Sequence, residues 1–129
     1  MTGSYLLDTN VVIAVFKGDP LVHRRLLRAS KAFLSIVTLG ELFYGAQSSM
    51  RIQENVGRIE ELAASTSVLD CNTETARHYG LIKAQLRKQG TPIPENDLWI
   101  AALANQHGLI LVTRDGHFSD VSDLRRETW

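Results

Sequence analysis

Short apolar segments with a preference for β-structure alternate along this 129-residue chain with longer segments of helical periodicity. Residues 4–7, 32–37, 67–69 and 109–113 favour strands, because they are rich in β-branched and other apolar side chains. Strands separated by helices are joined by right-handed crossovers and form a mainly parallel sheet. The sequence therefore predicts an α/β fold, with about four to five short strands in a central sheet and helices on both faces.

Local signals set the boundaries of the predicted helices. Asp19 is a typical N-cap, and Pro20 fits the first helical position, where its missing N–H costs nothing. Residues 38–41, Thr-Leu-Gly-Glu, match the helix-opening pattern of a capping box, which predicts a helix beginning there. Gly90 and Gly108 are the predicted stops of two later helices, since glycine accepts the left-handed backbone that ends a helix.

The length and composition favour one domain, residues 1–129, without membrane or disulfide elements. No stretch approaches the roughly 20 apolar residues that span a bilayer, and the N-terminus does not resemble a secretion signal. The lone cysteine, Cys71, allows no internal disulfide, so a cytoplasmic setting is the simpler expectation. We expect Cys71 to be a small, buried packing residue.

Charge excludes one class of binding and leaves another open. The formal net charge is zero, which excludes strong attraction of the whole molecule to nucleic acid. Cations are nevertheless concentrated near the N-terminus, at Lys17, Arg24, Arg25, Arg28 and Lys31. This segment is either a surface that holds a phosphate backbone without sequence preference or a solvated helix face with no ligand.

Four acids fall at the ends of predicted elements. Asp8 and Asp115 directly follow strands, and Glu41 and Asp97 lie in the first turns of helices. The carboxyl ends of parallel strands line the binding crevice of such a sheet, so we expect these side chains to meet there. Clustered carboxylates need compensation, and a hard divalent cation with oxygen ligands is the usual one. The sequence therefore predicts a Mg²⁺ or Mn²⁺ site, although each acid alone also fits an ordinary cap or turn.

Other readings of the chain are weaker. The four histidines are His23, His78, His107 and His117. None belongs to a paired motif or lies beside a nucleophile, so we expect them to be structural, and we expect His117 to pack near the site. A phosphoaspartate mechanism is disfavoured because no second acid lies two residues after Asp8. A non-catalytic interaction module, in which the acids are only caps, is a further alternative.

Four segments together resemble the PIN domain of VapC-type toxins, in order and in spacing along the whole chain. They are residues 6–11 (LLDTNV), 39–45 (LGELFYG), 94–102 (PENDLWIAA) and 112–118 (VTRDGHF). The resemblance implies that the four acids form the acidic quartet of that family. It also implies that Thr113 occupies the position of an active-site hydroxyl and that Asn10 is a supporting polar residue.

The same resemblance implies a function. It predicts a Mg²⁺- or Mn²⁺-dependent endoribonuclease, the toxin of a toxin-antitoxin pair, which hydrolyses RNA with a metal-activated water. The expected partners are an RNA substrate, a cognate antitoxin and a second copy of the chain in a homodimer, with DNA contacted only through the antitoxin. Phe43 and Tyr44 are candidate exposed contacts for those partners. A nuclease that processes RNA without an antitoxin is the alternative, and the RNA and the number of ions stay open.

Overall fold

The computed structural model describes residues 3–129, which form a parallel sheet covered by helices. The five strands are β1 Ser4–Leu7, β2 Lys31–Ser35, β3 Ser67–Leu69, β4 Ile110–Val112 and β5 Arg126–Glu127. The six α-helices are α1 Thr9–Phe16, α2 Pro20–Arg28, α3 Ile36–Gln47, α4 Ile52–Ser65, α5 Thr73–Gln89 and α6 Glu95–His107, and a 3₁₀-helix spans Gly116–Asp120. Every strand pairing is parallel, so the α/β prediction is confirmed.

The order of the strands places a crevice at the centre of the sheet. The order is β3-β2-β1-β4-β5, so the chain builds outward from β1 on one side and then returns to add β4 and β5 on the other. Leu7 at the end of β1 pairs with Val112 at the end of β4. The two strands therefore finish side by side at the point where the order reverses, which is where ligands bind in open parallel sheets.

Apolar side chains cover both faces of the sheet. Leu7 belongs to a core cluster shared with α1, α3 and α4, whereas its neighbour Leu6 belongs to a second cluster shared with α5 and α6. Successive residues of a strand point to opposite faces, so this alternation explains why helices pack on both sides. Helix α6 has no exposed area from Ile100 to Ala104, as its continuous apolar sequence predicts.

Helix α3 begins earlier than the sequence pattern predicts. Ser35 is its N-cap, and the Ser35 hydroxyl accepts a hydrogen bond from the backbone N–H of Thr38 at 2.9 Å. The capping-box prediction at residues 38–41 is therefore wrong, and the strand predicted over 32–37 ends at Ser35. The error arose because Ile36 and Val37 favour strands by their β-branched side chains, yet here they form the first helical turn.

Other boundaries agree with the local signals, and one burial prediction fails. Asp19 caps α2 by accepting hydrogen bonds from the N–H groups of Leu21 and Val22. Gly90 and Gly108 end α5 and α6 in the left-handed conformation. Cys71 is exposed rather than buried, because it lies in the short connection between β3 and α5 and not on an apolar face.

Two further features bear on the predictions. The short strand β5 carries no apolar run and was not predicted; backbone bonds hold it, such as that from the Thr113 N–H to the Glu127 carbonyl at 3.0 Å. Among residues 3–129, no helix combines the length and the apolarity that a membrane span requires.

We predict opposite effects on stability for two glycine substitutions at the same helix, α5. Gly90→Ala should lower the free energy of unfolding by about 1 kcal/mol, because its φ of +73° is unfavourable for a side chain. Gly80→Ala should raise it by about 0.5–1 kcal/mol, since Gly80 is inside the helix and an added Cβ meets nothing within 4 Å. Urea denaturation of both variants tests this; equal effects would contradict the left-handed assignment.

Candidate active site

Asp8 lies where β1 turns into α1 and is almost completely buried, with 4% of its surface exposed. Its backbone N–H donates to the Val112 carbonyl at 2.9 Å, which joins it to the end of β4. One carboxylate oxygen accepts from the Thr9 N–H at 2.8 Å, and the other accepts from the Thr113 hydroxyl at 2.8 Å. Asp8 is thus the N-cap of α1 and at the same time part of a larger acidic group.

Burial is the main reason that the pKa of Asp8 lies above its ordinary value of 3.8. The hydrogen bonds from Thr113 and Thr9 oppose that rise, whereas the nearby charges of Asp97 and Glu41 add to it. The ionised form of Asp8 is therefore held in an environment that disfavours it, and a cation in the cleft would relieve that cost.

Asp97 enters the cleft from the first turn of α6, directly after the extended Thr91–Pro94 loop, and it is 7% exposed. Burial is again the main cause that raises the pKa of this carboxyl, and the charges of Asp115 and Glu41 raise it further. A hydrogen bond with His117 acts in the opposite direction. The pKa values of Asp8 and Asp97 are therefore both raised by burial and by neighbouring negative charges.

Asp115 and His117 complete this side of the cleft. Asp115 caps the 3₁₀-helix by accepting from the His117 N–H at 2.9 Å. The His117 Nδ1 lies 3.0 Å from an Asp97 oxygen and 3.1 Å from an Asp115 oxygen. The hydrogen bond with Asp97 and the charge of Asp115 raise the pKa of the imidazole. The expectation of a histidine packing near the site is met, but sequence analysis missed this direct bridge.

Glu41 reaches the cleft from the second turn of α3 and is held there by two neutral donors. The Thr9 hydroxyl donates to one carboxylate oxygen at 2.6 Å, and the side-chain amide of Asn96 donates to the other. Sequence analysis assigned neither Thr9 nor Asn96 to the site. The available signal was their position, since each directly neighbours a predicted acid, Asp8 or Asp97, at the start of a helix.

The two supporting residues implied by the family resemblance lie among these acids. The Thr113 hydroxyl, which donates to the Asp8 carboxylate, also accepts from the backbone N–H of Asp115 at 3.0 Å, so it links that carboxylate to the backbone of the second acid. The Asn10 side-chain oxygen Oδ1 accepts from the Arg114 backbone N–H at 3.1 Å, and the Asn10 side-chain nitrogen lies 3.5 Å from an Asp8 carboxylate oxygen. Both residues tie the start of α1 to the loop after β4.

The cleft has a volume of about 300 Å³, and its walls are strongly acidic. Its lining contains the four acids together with Thr9, Asn10, Ile13, Pro94, Asn96 and His117. The structure thus brings Asp8, Glu41, Asp97, Asp115 and Asn10 to one place, with Thr113 bonded to two of the acids. Among the described residues that line it, none is a lysine or an arginine.

The donor set fits a hard divalent cation. Asp97, Asp115 and His117 each offer a ligand atom, and within the described part of the chain these atoms lie within 4.8 Å of one another. Asp8 and Glu41 line the same cleft and add carboxylate oxygens, the ligands that Mg²⁺ and Mn²⁺ prefer. Raised carboxyl pKa values, caused first by burial and then by the neighbouring acids, are expected of such a set without a cation.

Residues 5–124 match the PIN domain family. The chain is 44% identical over 128 residues to Ribonuclease VapC2 of Haemophilus influenzae, a match that covers 97% of each protein. It is 40% identical over 128 residues to a protein of Shigella flexneri named tRNA(fMet)-specific endonuclease VapC, again over 97% of each.

Solved structures agree with the sequence comparison. A chain in the crystal structure of DNA-bound VapBC from Salmonella typhimurium superposes with a TM-score of 0.90 at 36% identity, over 98% of each chain. A chain of VapBC-1 from nontypeable Haemophilus influenzae gives a TM-score of 0.89 at 33% identity, with the same coverage. The protein therefore belongs to the PIN domain family, and within that family to the VapC-type ribonucleases.

Proposed function

We propose that this chain is the toxin of a toxin-antitoxin pair, an endoribonuclease that hydrolyses RNA phosphodiester bonds and depends on Mg²⁺ or Mn²⁺. The observation that carries the proposal is the convergence of Asp8, Glu41, Asp97 and Asp115 in one cleft whose described lining has no lysine or arginine. A cleft with this charge cannot hold a phosphate unless a cation accompanies it. The VapC names of the relatives support ribonuclease chemistry in particular.

Asp97, Asp115 and Asp8 are the residues that would hold the cation, directly or through water. When bound, Mg²⁺ or Mn²⁺ lowers the pKa of a water and neutralises charge on the reacting phosphate. Thr113 ties the Asp8 carboxylate to the backbone that carries Asp115, because its hydroxyl donates to that carboxylate and accepts from the Asp115 N–H. His117 bridges Asp97 and Asp115 from the open side of the cleft.

Glu41 is the residue that we assign to the attacking water. Its carboxylate lies in the cleft near Asp8 and Asp97, close enough for its charge to raise the pKa of both. Each Glu41 oxygen is bonded to a neutral donor and keeps a lone pair, so it can orient a water and accept its proton. Hydrolysis by this route needs no covalent intermediate with the protein.

Transfer RNA is the substrate class to examine first. The Shigella flexneri relative is named for cleavage of the initiator transfer RNA, and it aligns with this chain over 97% of its length. Specific recognition of RNA depends on looped or unstacked bases, which a transfer RNA presents in its anticodon arm. We therefore also propose that the protein acts in the cytoplasm.

We propose a second cavity as the site that the antitoxin occupies. It has a volume of about 240 Å³, shares Thr9, Ile13 and Glu41 with the acidic cleft, and is otherwise largely apolar. Tyr44 on the same helix is 75% exposed, whereas Phe43 packs partly buried against the core. We infer that an apolar antitoxin segment occupies this cavity and directs a basic side chain to the acids. Homodimerisation is part of the proposal, and DNA would be contacted through the antitoxin.

We expect Asp97→Asn to lower the rate of metal-dependent RNA cleavage by at least about 100-fold. Loss of a metal ligand should reduce activity more than loss of a residue that only supports a ligand, which typically reduces it by about 10- to 100-fold. Asp70→Asn is the matched control, since Asp70 is exposed and outside the cleft, and it should cleave like the wild type. Cleavage of initiator and total transfer RNA with Mn²⁺ is followed by mapping the new 5′ ends. Full activity of Asp97→Asn would refute the assignment.

We predict that a cation stabilises the wild type and that Asp8→Asn removes this effect. At a free metal concentration of about 100 times the dissociation constant, binding raises the free energy of unfolding by about 2.7 kcal/mol. This corresponds to an increase of several degrees in Tm. Because the native pKa of Asp8 is raised, its ionisation lowers stability as pH rises through and above 3.8. Without metal, Asp8→Asn should therefore melt higher than the wild type at pH 7 and show less loss of stability with rising pH.

Differential scanning calorimetry with EDTA or Mn²⁺ measures both effects. Asp70→Asn should retain the metal-dependent shift of the wild type, since it lies outside the cleft. An unchanged Tm for the wild type at millimolar Mn²⁺ would argue against a clustered metal site and in favour of acids that serve only as helix caps.

A further inference from the structure

The carboxylate of Glu41 differs from those of the other three acids in how it is held. Its two oxygens are bonded to side chains from two other helices, Thr9 at the first position of α1 and Asn96 at the second position of α6. These bonds connect residues 32 and 55 positions apart in the sequence. A long and flexible side chain is thereby restricted to one position in the cleft, at the junction of three helices.

The direction of the hydrogen bonds can be assigned from the number of protons. The hydroxyl oxygens of Thr9 and Thr38 are 3.2 Å apart, and Thr38 is completely buried on α3, three residues before Glu41. A hydroxyl has a single proton to donate, and Thr9 uses its proton on the ionised Glu41 at 2.6 Å. Thr38 must therefore donate to Thr9, which fixes the Thr9 proton toward Glu41.

Both donors to Glu41 are neutral, and this has a chemical consequence. A lysine or arginine at either position would neutralise the carboxylate and compete with a divalent cation for it. A hydroxyl and an amide instead restrict the rotation of the carboxylate and leave its charge in place. The charge of Glu41 accordingly remains one of the causes, after burial, that raise the pKa values of Asp8 and Asp97.

We propose that Thr9 and Asn96 are positioning residues that hold the Glu41 carboxylate in the orientation needed to act on the attacking water, with Thr38 orienting the Thr9 hydroxyl. The proposal rests on the ribonuclease function proposed above. Neither residue touches the reacting atoms, so their contribution passes through Glu41. Removing either donor should lower turnover more than it changes substrate binding.

The test compares substitutions that differ by single polar groups. Thr9→Val removes the hydroxyl and keeps the branched shape, and it should lower kcat by about 10- to 100-fold with little change in KM. Thr9→Ser keeps the hydroxyl and should restore most of the activity. Thr73→Val is the control, because Thr73 is likewise the first residue of a helix but is exposed and does not line the cleft. Asn96→Leu should behave like Thr9→Val.

A double-mutant cycle separates positioning from general damage to the fold. If Thr9 acts only through Glu41, Thr9→Val should change kcat by no more than about twofold in a Glu41→Gln background. An equal loss in both backgrounds, or a Thr9→Ser variant as weak as Thr9→Val, would overturn the proposal. Circular dichroism melting of each variant identifies any that fail to fold, and Thr9→Ser and Asn96→Leu then decide the outcome.

A measurement on the metal-free protein distinguishes failure of this proposal from failure of the proposed function. The Asn96 side-chain amide protons, observed by NMR, should move toward the shifts of a free amide in Glu41→Leu and remain in place in Thr73→Val. If the wild type cleaves no RNA, the ribonuclease proposal fails, and the NMR result still decides whether the contact exists. Unmoved Asn96 resonances in Glu41→Leu would refute it.

Discussion

Crowding of negative charge in a partly buried cleft is the constraint on which this site depends. Burial raises the pKa values of Asp8 and Asp97, and neighbouring acids raise them further, so the ionised carboxylates are unfavourable where they stand. The fold tolerates them because hydrogen bonds compensate part of the cost, from the Thr113 hydroxyl and the Thr9 backbone N–H at Asp8 and with His117 at Asp97. The remaining cost favours the cation that we propose for this site, whose affinity would then have the same origin as the instability of the free protein.

The parallel sheet makes this crowding possible. Asp8 and Thr113 follow neighbouring strands, so their side chains meet once β1 and β4 are paired. Glu41 and Asp97 come from helices on opposite sides of that pair, and each packs with a different apolar cluster of the core. Four carboxylates thus approach one point while each is anchored by its own element, which prevents them from moving apart.

The elements that the sequence predicted well are those with strong local signals. Asp19 and Pro20 define the start of α2, and the glycines at 90 and 108 define two helix ends, because capping depends on adjacent residues. The predicted start of α3 was wrong, because Ser35 and Thr38 are both suitable N-caps and local sequence does not decide between them. The hydrogen bonds around Glu41 could not be predicted from the sequence, because they join residues far apart in the chain and leave no periodic pattern.

The pairing of β1 with β4 also has a consequence for the synthesis of the protein. The bond between Thr113 and Asp8 spans 105 positions, so the first acid of the site is translated long before its hydrogen-bonding partner. Contacts between residues so far apart in sequence form slowly, because closing a long loop is entropically costly. A ribosome-bound chain that stops short of β4 lacks both Thr113 and Asp115, so a growing or truncated polypeptide cannot assemble the complete acidic cleft.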